Sequence, residues 1–234
     1  MRVLAIMSHP DDIEIECGGT LIKCVQRGDQ VFACHVSDGN MGHEEIMPDE
    51  LAKIRIIEAE NAGSVAGYEV LSCHQNDLLL NASDQSQIDE VIRVIRYAKP
   101  DLIITHPPED YCSDHAEVSK IVFNAAFSAS CPHFKPELGE ACSLAAMFYS
   151  DTSDGLGFEP TDFVDISNVT DIKTKAVLCH ESQVVWLAAH DNIDLGEYIK
   201  RRSKFRGNQC GVDEAEAFRP CTVSGRVKPY RLLP

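Results

Sequence analysis

Apolar, strand-like runs alternate with longer segments of helical spacing through the first two thirds of the chain. This alternation is typical of an α/β protein, in which a parallel sheet is covered by helices. Strands are predicted at residues 3–7, 30–36, 69–71, 102–105, 145–149 and 162–166. Helices are predicted at residues 18–27, 48–66, 87–98, 115–128, 172–179 and 195–205.

The chain has 234 residues, of which 44% are hydrophobic, so it is long enough to bury a large core. We find no internal repeat and no linker rich in glycine and serine, and we therefore predict a single domain over residues 1–234. Residues 130–139 and 151–161 lose periodicity and gather turn-forming residues. Both segments are predicted to be loops, and we expect them to face the substrate.

The charge balance restricts the partners. The chain carries 21 basic and 37 acidic residues, a net charge of -16, so its surface would repel a phosphate backbone.

No window approaches the roughly 20 apolar residues that a membrane-spanning helix needs. The N-terminal apolar run stops at Ser8, which favours a buried strand over a signal peptide. Ten cysteines without a Cys-x-x-Cys pair favour reduced thiols. We predict a soluble, cytoplasmic protein that binds neither nucleic acid nor membrane.

The most informative segment is Ser8-His9-Pro10-Asp11-Asp12-Ile13-Glu14, which begins where the first predicted strand ends. In open α/β sheets, ligands bind beyond the carboxyl ends of the strands. A neutral imidazole from His9 and a carboxylate from Asp12 are suitable zinc ligands, and Asp11 can take a proton from water on the metal. As an isolated tetrapeptide, His-Pro-Asp-Asp is better explained as an ordinary polar turn with an Asx cap.

A second polar cluster follows the fourth predicted strand, over residues 106–115. If the first and fourth strands are neighbours, His115 can complete a site of two histidines and one aspartate that leaves a position open for water. This ligand set suits zinc, and iron, cobalt or manganese can occupy the same donors.

Taken together, these motifs resemble the LmbE-like or PIG-L deacetylases, which hydrolyse N-acetyl groups on glucosamine-containing molecules. The resemblance spans nearly the whole chain. It rests on residues 8–12, 18–20 and 37–39, on Arg55 with Glu58, and on residues 113–115, 180–183 and 211–218.

The resemblance implies a Rossmann-like fold with helices on both faces of the sheet, and the chain lacks the Gly-x-Gly-x-x-Gly turn of a dinucleotide site. It implies zinc ligation by His9, Asp12 and His115, with Asp11 as the general base. Asp114 would assist catalysis from beside the zinc ligands. The expected substrate is a small N-acetylated amino sugar, and relatives often form homo-oligomers, as trimers or hexamers.

The resemblance also places Arg55 near the substrate, where a guanidinium can bind sugar hydroxyls or a phosphate. The alternative is a surface ion pair, because Arg55 and Glu58 are three residues apart on a predicted helix. Further along the chain, Lys200, Arg201, Arg202, Lys204 and Arg206 suggest an anion site, but a solvated helix face is the commoner explanation.

The chain departs from the family pattern at Cys112, where the family usually has a histidine that polarises the amide carbonyl. Loss of one such donor typically costs about 2.7 to 4 kcal/mol of transition-state stabilisation. Cys112 can be a weaker donor, a fourth metal ligand that closes the site, or a bystander whose role passes to His106. His106 is therefore a candidate for substrate contact, with the cap of a strand end as the alternative. A degenerate site would make the protein a non-catalytic zinc or sugar binder, and this is the main rival hypothesis.

Overall fold

The computed structural model describes residues 1–234, which form one seven-stranded sheet and eight α-helices. The strands are β1 (Arg2–Met7), β2 (Gln30–Ser37), β3 (Glu69–Gln75), β4 (Leu102–Thr105), β5 (Ala146–Ser150), β6 (Asp162–Asp165) and β7 (Ala215–Pro220). The helices are α1 (Asp12–Glu16), α2 (Gly18–Gln26), α3 (Pro48–Ala66), α4 (Gln85–Ala98), α5 (Ser113–Ala129), α6 (Thr170–Val177), α7 (Glu181–His190) and α8 (Leu195–Cys210). A short 3₁₀ helix lies at Pro136–Leu138.

The sheet has the strand order β3-β2-β1-β4-β5-β7-β6. Strands β1 to β5 are parallel, whereas β7 runs antiparallel to both of its neighbours, β5 and β6. The predicted fold class, mostly parallel and Rossmann-like, is confirmed. All six predicted strands and all six predicted helices are present, with boundary shifts of a few residues.

Alternation along β1 explains why both faces of the sheet are covered. Val3, Ala5 and Met7 belong to one apolar cluster, which also contains residues of α1, α2, α3 and α6. Leu4 and Ile6 belong to a second cluster, which is filled from α4 and α5. Because side chains alternate between the two faces of a strand, a β1 in which every residue from 3 to 7 is apolar must be buried on both sides.

The order of the strands determines where a site can form. β1 lies between β2 and β4. From β1 the sheet extends through β2 and β3 on one side and through β4 and β5 on the other, so the strand order reverses at β1. In the β1–β4 pair Ile6 lies beside Thr105, so both strands end at the same edge of the sheet. This is the point at which open α/β sheets form a crevice. No helix has the length and apolar character needed to cross a bilayer.

Besides the short 3₁₀ helix, which lies in a predicted loop, three regular elements were not predicted. Helix α1 has only five residues, which is too short for a helical period to appear. Helix α7 follows directly on α6, with only a short break between Val177 and Glu181. Strand β7 contains a buried charged residue, Glu216, among apolar ones, and this carboxylate accepts hydrogen bonds from the backbone N–H groups of Gly19 and Thr20. A charged residue at a buried position interrupts the apolar run by which a buried strand is predicted from sequence.

Candidate metal centre and active site

The first polar motif forms a tight turn between β1 and α1. Asp11 has a φ of 129°, a region that residues with a side chain rarely adopt. The turn is closed by the backbone N–H of His9, which donates to Asp12 Oδ2 at 2.7 Å. Strain of this kind is characteristic of functional sites. Its effect here is that His9, Asp11 and Asp12 all line the same cavity.

His9, Asp12 and His115 form a cluster of potential metal ligands, and their ligand atoms all lie within 4.8 Å of one another. Asp12 Oδ2 lies 3.2 Å from His9 Nδ1 and 3.4 Å from His115 Nε2. His115 lies in the first turn of α5, which follows the loop after β4. The expectation that neighbouring β1 and β4 would bring these residues together is confirmed. Two imidazoles and one carboxylate suit zinc, and such a set leaves room for water or substrate.

Each histidine of the cluster contacts a second carboxylate through its other ring nitrogen. His9 Nε2 lies 3.4 Å from Asp114 Oδ2 and 3.1 Å from Asp77 Oδ1. His115 Nδ1 lies 3.2 Å from Asp110 Oδ2. Carboxylates in this position fix the orientation and tautomer of a metal-binding histidine. Asp114 therefore lies beside the ligands, as expected, whereas the partner roles of Asp77 and Asp110 were not predicted.

Asp110→Asn is expected to weaken metal binding about 10- to 100-fold, because an amide orients the His115 imidazole less well than a carboxylate. The measurement is a zinc titration of chelator-stripped protein against a competing chelator. Asp171→Asn, an exposed change on α6, is the control and should leave the affinity unaltered. Equal affinities for the two variants would show that Asp110 does not support the ligand.

Asp11 lies in the cavity beside the ligand cluster but is not part of it. Burial raises the pKa of Asp11 to about 6, although the Arg55 guanidinium opposes this shift. Burial also disfavours ionisation of Asp12, but the charges of His115 and His9 outweigh it and hold the pKa of Asp12 well below its usual range. Two adjacent carboxylates thus differ in proton affinity, which suits Asp11 to proton transfer and Asp12 to ligation.

Arg55 positions Asp11. Its Nη2 lies 3.2 Å from Asp11 Oδ1 and also donates to the carbonyl of Pro10, and Nη1 donates to the carbonyl of Gly39 at 2.9 Å. A Cβ at residue 39 would lie 2.2 Å from Arg55 Nη1, so only glycine fits there. Arg55 lines the cavity, but both of its terminal guanidinium nitrogens, Nη1 and Nη2, contact groups of the protein itself.

The alternative of a surface pair between Arg55 and Glu58 is wrong. Both residues are buried, at 3% and 7% exposure, and they contact different partners. Glu58 accepts hydrogen bonds of 2.7 Å from the backbone N–H and the hydroxyl of Ser182, at the start of α7. Arg55 therefore joins α3 to the turn that contains Asp11, and Glu58 joins α3 to α7.

His106 does not line the cavity, so its prediction as a substrate contact is corrected. It is completely buried, and its ring stacks on that of His115 with a centroid separation of 3.9 Å. Its Nε2 accepts a hydrogen bond of 2.9 Å from the backbone N–H of Ser8. The residue joins the ends of β4 and β1 behind the ligands, which agrees with the strand-end alternative.

Cys112 immediately precedes α5 and lines the cavity. It is absent from every cluster of potential ligands, so the geometry argues against a fourth ligand that closes the site. Burial raises the pKa of the Cys112 thiol, but the hydrogen bond and charge of His115 outweigh this effect and lower it. Cys112 is thus a cavity residue next to a ligand, with a thiol in place of a strong donor.

The cavity has a volume of about 490 Å³ and opens over the ligand cluster. Of the two predicted substrate-facing loops, residues 151–161 contribute Ser153 and Asp154 to its wall, whereas residues 130–139 contribute nothing. Helices α7 and α8 and the segment between them contribute a further part of the wall, which includes Gln183, Asp191 and Tyr198, and Tyr111 contributes from the loop before α5. Sequence reasoning did not assign these wall residues, because they become neighbours only through the tertiary fold.

Residues 4–126, more than half of the chain, match the family described as PIG-L: GlcNAc-PI de-N-acetylase. The matched region contains the ligand cluster, Asp11 and Arg55. The chain belongs to the PIG-L family. A diacetylchitobiose deacetylase of Thermococcus kodakarensis is 29% identical over 229 residues, covering 93% of this chain and 82% of the relative.

Solved structures extend the PIG-L resemblance over the whole fold. The N,N'-diacetylchitobiose deacetylase of Pyrococcus horikoshii has a TM-score of 0.80 and 25% identity, covering 93% of this chain and 82% of that one. The 4-carboxy-2-hydroxymuconate hydratase GalB of Pseudomonas putida has a TM-score of 0.82 at 20% identity, covering 99% of this chain and 100% of that one. The second likeness shows the fold alone, and chemistry must therefore be argued from the site.

Proposed function

We propose that this protein is a zinc-dependent hydrolase that removes an N-acetyl group from a small conjugate of N-acetylglucosamine. The observation that carries the proposal is the cluster of His9, Asp12 and His115 at the base of an open cavity, with Asp11 beside it. Relatives named as deacetylases of acetylated amino sugars support the substrate class.

His9, Asp12 and His115 would hold the metal, and the carboxylates of Asp114 and Asp110 would keep both imidazoles in the correct orientation. When bound, zinc supplies a Lewis acid that polarises the amide carbonyl and acidifies water. The protein contributes a fixed geometry and a cavity whose floor is buried.

Asp11 carries the proton in this mechanism. It accepts a proton from the attacking water as the new C–O bond forms at the acetyl carbon, and it returns that proton to the amine nitrogen as the C–N bond breaks. The products are acetate and a free amine. Arg55 keeps the Asp11 carboxylate aimed into the cavity and favours its ionised form.

The test is acetate release from diacetylchitobiose and from N-acetylglucosamine linked to inositol or to malate, with zinc-loaded protein. We expect release from at least one conjugate, its loss after chelation and its return when zinc is added back. Bound zinc without release from any conjugate would favour the rival hypothesis, a non-catalytic zinc or sugar binder.

A further inference from the structure

The outer part of the cavity contains a cluster that the reaction itself does not use. Tyr111, from the loop before α5, and Tyr198, from α8, both point their hydroxyl groups at Asp154, from the loop after β5. The Tyr111 hydroxyl lies 3.2 Å from Asp154 Oδ2, and the Tyr198 hydroxyl lies 3.0 Å from Asp154 Oδ1. All three side chains line the cavity.

Exposure separates this cluster from the metal ligands. Asp12 and His115 are buried at 6% and 5%, whereas Tyr111 is 60% exposed and Asp154 is also exposed. The cluster therefore lies at the mouth of the cavity, where the part of the substrate that carries no acetyl group must sit if the amide reaches the ligands.

The charges at this mouth have one sign. Asp154 and Asp191 are the exposed charged residues of the cavity wall. Arg55 is the only lysine or arginine that lines the cavity, and it is buried against Asp11, Pro10 and Gly39. No free cation is thus available to neutralise an acidic group of the substrate.

The hydrogen-bonding capacity at the mouth is also one-sided. Asp154 already accepts from the two tyrosine hydroxyls, and Asp191 Oδ1 lies 2.8 Å from His190 Nδ1. Because an ionised carboxylate only accepts hydrogen bonds, the lone pairs that remain on Asp154 and Asp191 can bind only donor groups of a ligand. Partial burial of Tyr111, together with the charge of the neighbouring Asp154, raises the pKa of its hydroxyl to about 12, so this hydroxyl stays protonated. An exposed tyrosine ring held by its hydroxyl is a rigid surface on which the apolar face of a sugar ring can lie.

Resting on the proposed function, we infer that Tyr111, Asp154, Tyr198 and Asp191 select the group attached to N-acetylglucosamine. This subsite takes an uncharged group rich in hydroxyls, such as a second sugar or a cyclitol, and rejects one that carries a carboxylate or a phosphate. Rejection arises from like charge together with the absence of a free lysine or arginine to pair with the acidic group.

The experiment compares kcat/KM for N-acetylglucosaminyl-inositol with kcat/KM for the same compound bearing a phosphate on the inositol. We expect the neutral conjugate to be favoured by about tenfold or more, the size expected for two like charges a few ångströms from the anion. This ratio should shrink as salt is raised from low to high concentration, because salt screens exposed charges.

Asp154→Asn/Asp191→Asn should lower the ratio towards one, chiefly by raising kcat/KM for the phosphorylated conjugate. The matched control is Asp171→Asn, which removes an exposed carboxylate outside the cavity and should leave the ratio unchanged. The salt series on the unaltered protein tests the same point without any substitution.

The possible failures are distinguishable. If neither conjugate nor any other acetylated amino sugar released acetate, the proposed function would be overturned, and this inference with it. Release from both at equal kcat/KM would leave the deacetylase proposal intact and overturn the selection against anions. A ratio that the double variant and salt leave unaltered would show that these carboxylates do not produce it.

Discussion

Asp11→Asn is expected to lower kcat for acetate release by about 10²- to 10⁴-fold while zinc binding is retained. Asparagine has nearly the same shape as aspartate and can still accept a hydrogen bond from Arg55, but it cannot take a proton from water. Asp11 is not part of the cluster of potential metal ligands, so His9, Asp12 and His115 are untouched. The measurements are the rate of acetate release and the zinc content of the purified variant.

Asp12→Asn is the matched control, because it makes the same chemical change at the next residue. Asp12 belongs to the ligand cluster, so this variant is expected to lose zinc and activity together. If Asp11→Asn kept half or more of the original rate with zinc bound, another group would be the proton acceptor. If it lost zinc as Asp12→Asn does, Asp11 would be a ligand.

Local sequence patterns and the family resemblance were sufficient to predict most of the sheet and the cluster of potential metal ligands. β1 is apolar at every position from 3 to 7, and the turn that follows it carries His9, Asp11 and Asp12 within four residues. Small molecules and ions bind at the carboxyl ends of parallel strands, and this rule placed the three polar residues at one edge of the sheet. His115 required the further condition that β1 and β4 are neighbours, which the structure meets.

Other parts of the site could not be predicted, because they depend on contacts between distant residues. Spacing alone made Arg55 and Glu58 equally compatible with a surface pair, and only the packing of α3 shows that they face different partners. His106 is in a polar loop by sequence, yet it stacks beneath His115. Asp154 and Tyr198 are 44 residues apart and meet at the cavity mouth.

The basic segment of α8 gives a further example. The sequence favours a solvated helix face for residues 200–206, and the exposed Arg201 agrees with this prediction. Arg206 is instead buried at 3%, and its guanidinium forms two hydrogen bonds with Asp151, of 2.6 and 2.8 Å. Asp151 is 1% exposed and directly follows β5. This ion pair therefore attaches α8 to the start of the loop that carries Asp154.

Arg206→Met is expected to destabilise the protein by about 3 to 5 kcal/mol, because it leaves the Asp151 carboxylate buried without its partner. Arg202 lies 3.9 Å from Asp151, too far for a hydrogen bond, so it does not replace the lost contacts. For a chain of this length, such a change corresponds to a fall in Tm of roughly 6 to 20 °C. Thermal and urea unfolding of the variant measure both quantities.

Two further variants separate the ion pair from the general loss of a long side chain. Arg201→Met removes an exposed arginine from the same helix and should change stability by less than about 0.5 kcal/mol. Asp151→Leu/Arg206→Met removes both charges, so much of the lost stability should return, since replacing a buried pair with apolar side chains is often neutral. A double variant no more stable than Arg206→Met would assign the loss to packing of the arginine stem. Recovery in the double variant would instead show that the unpaired carboxylate, placed next to the loop of the cavity mouth, is what destabilises the fold.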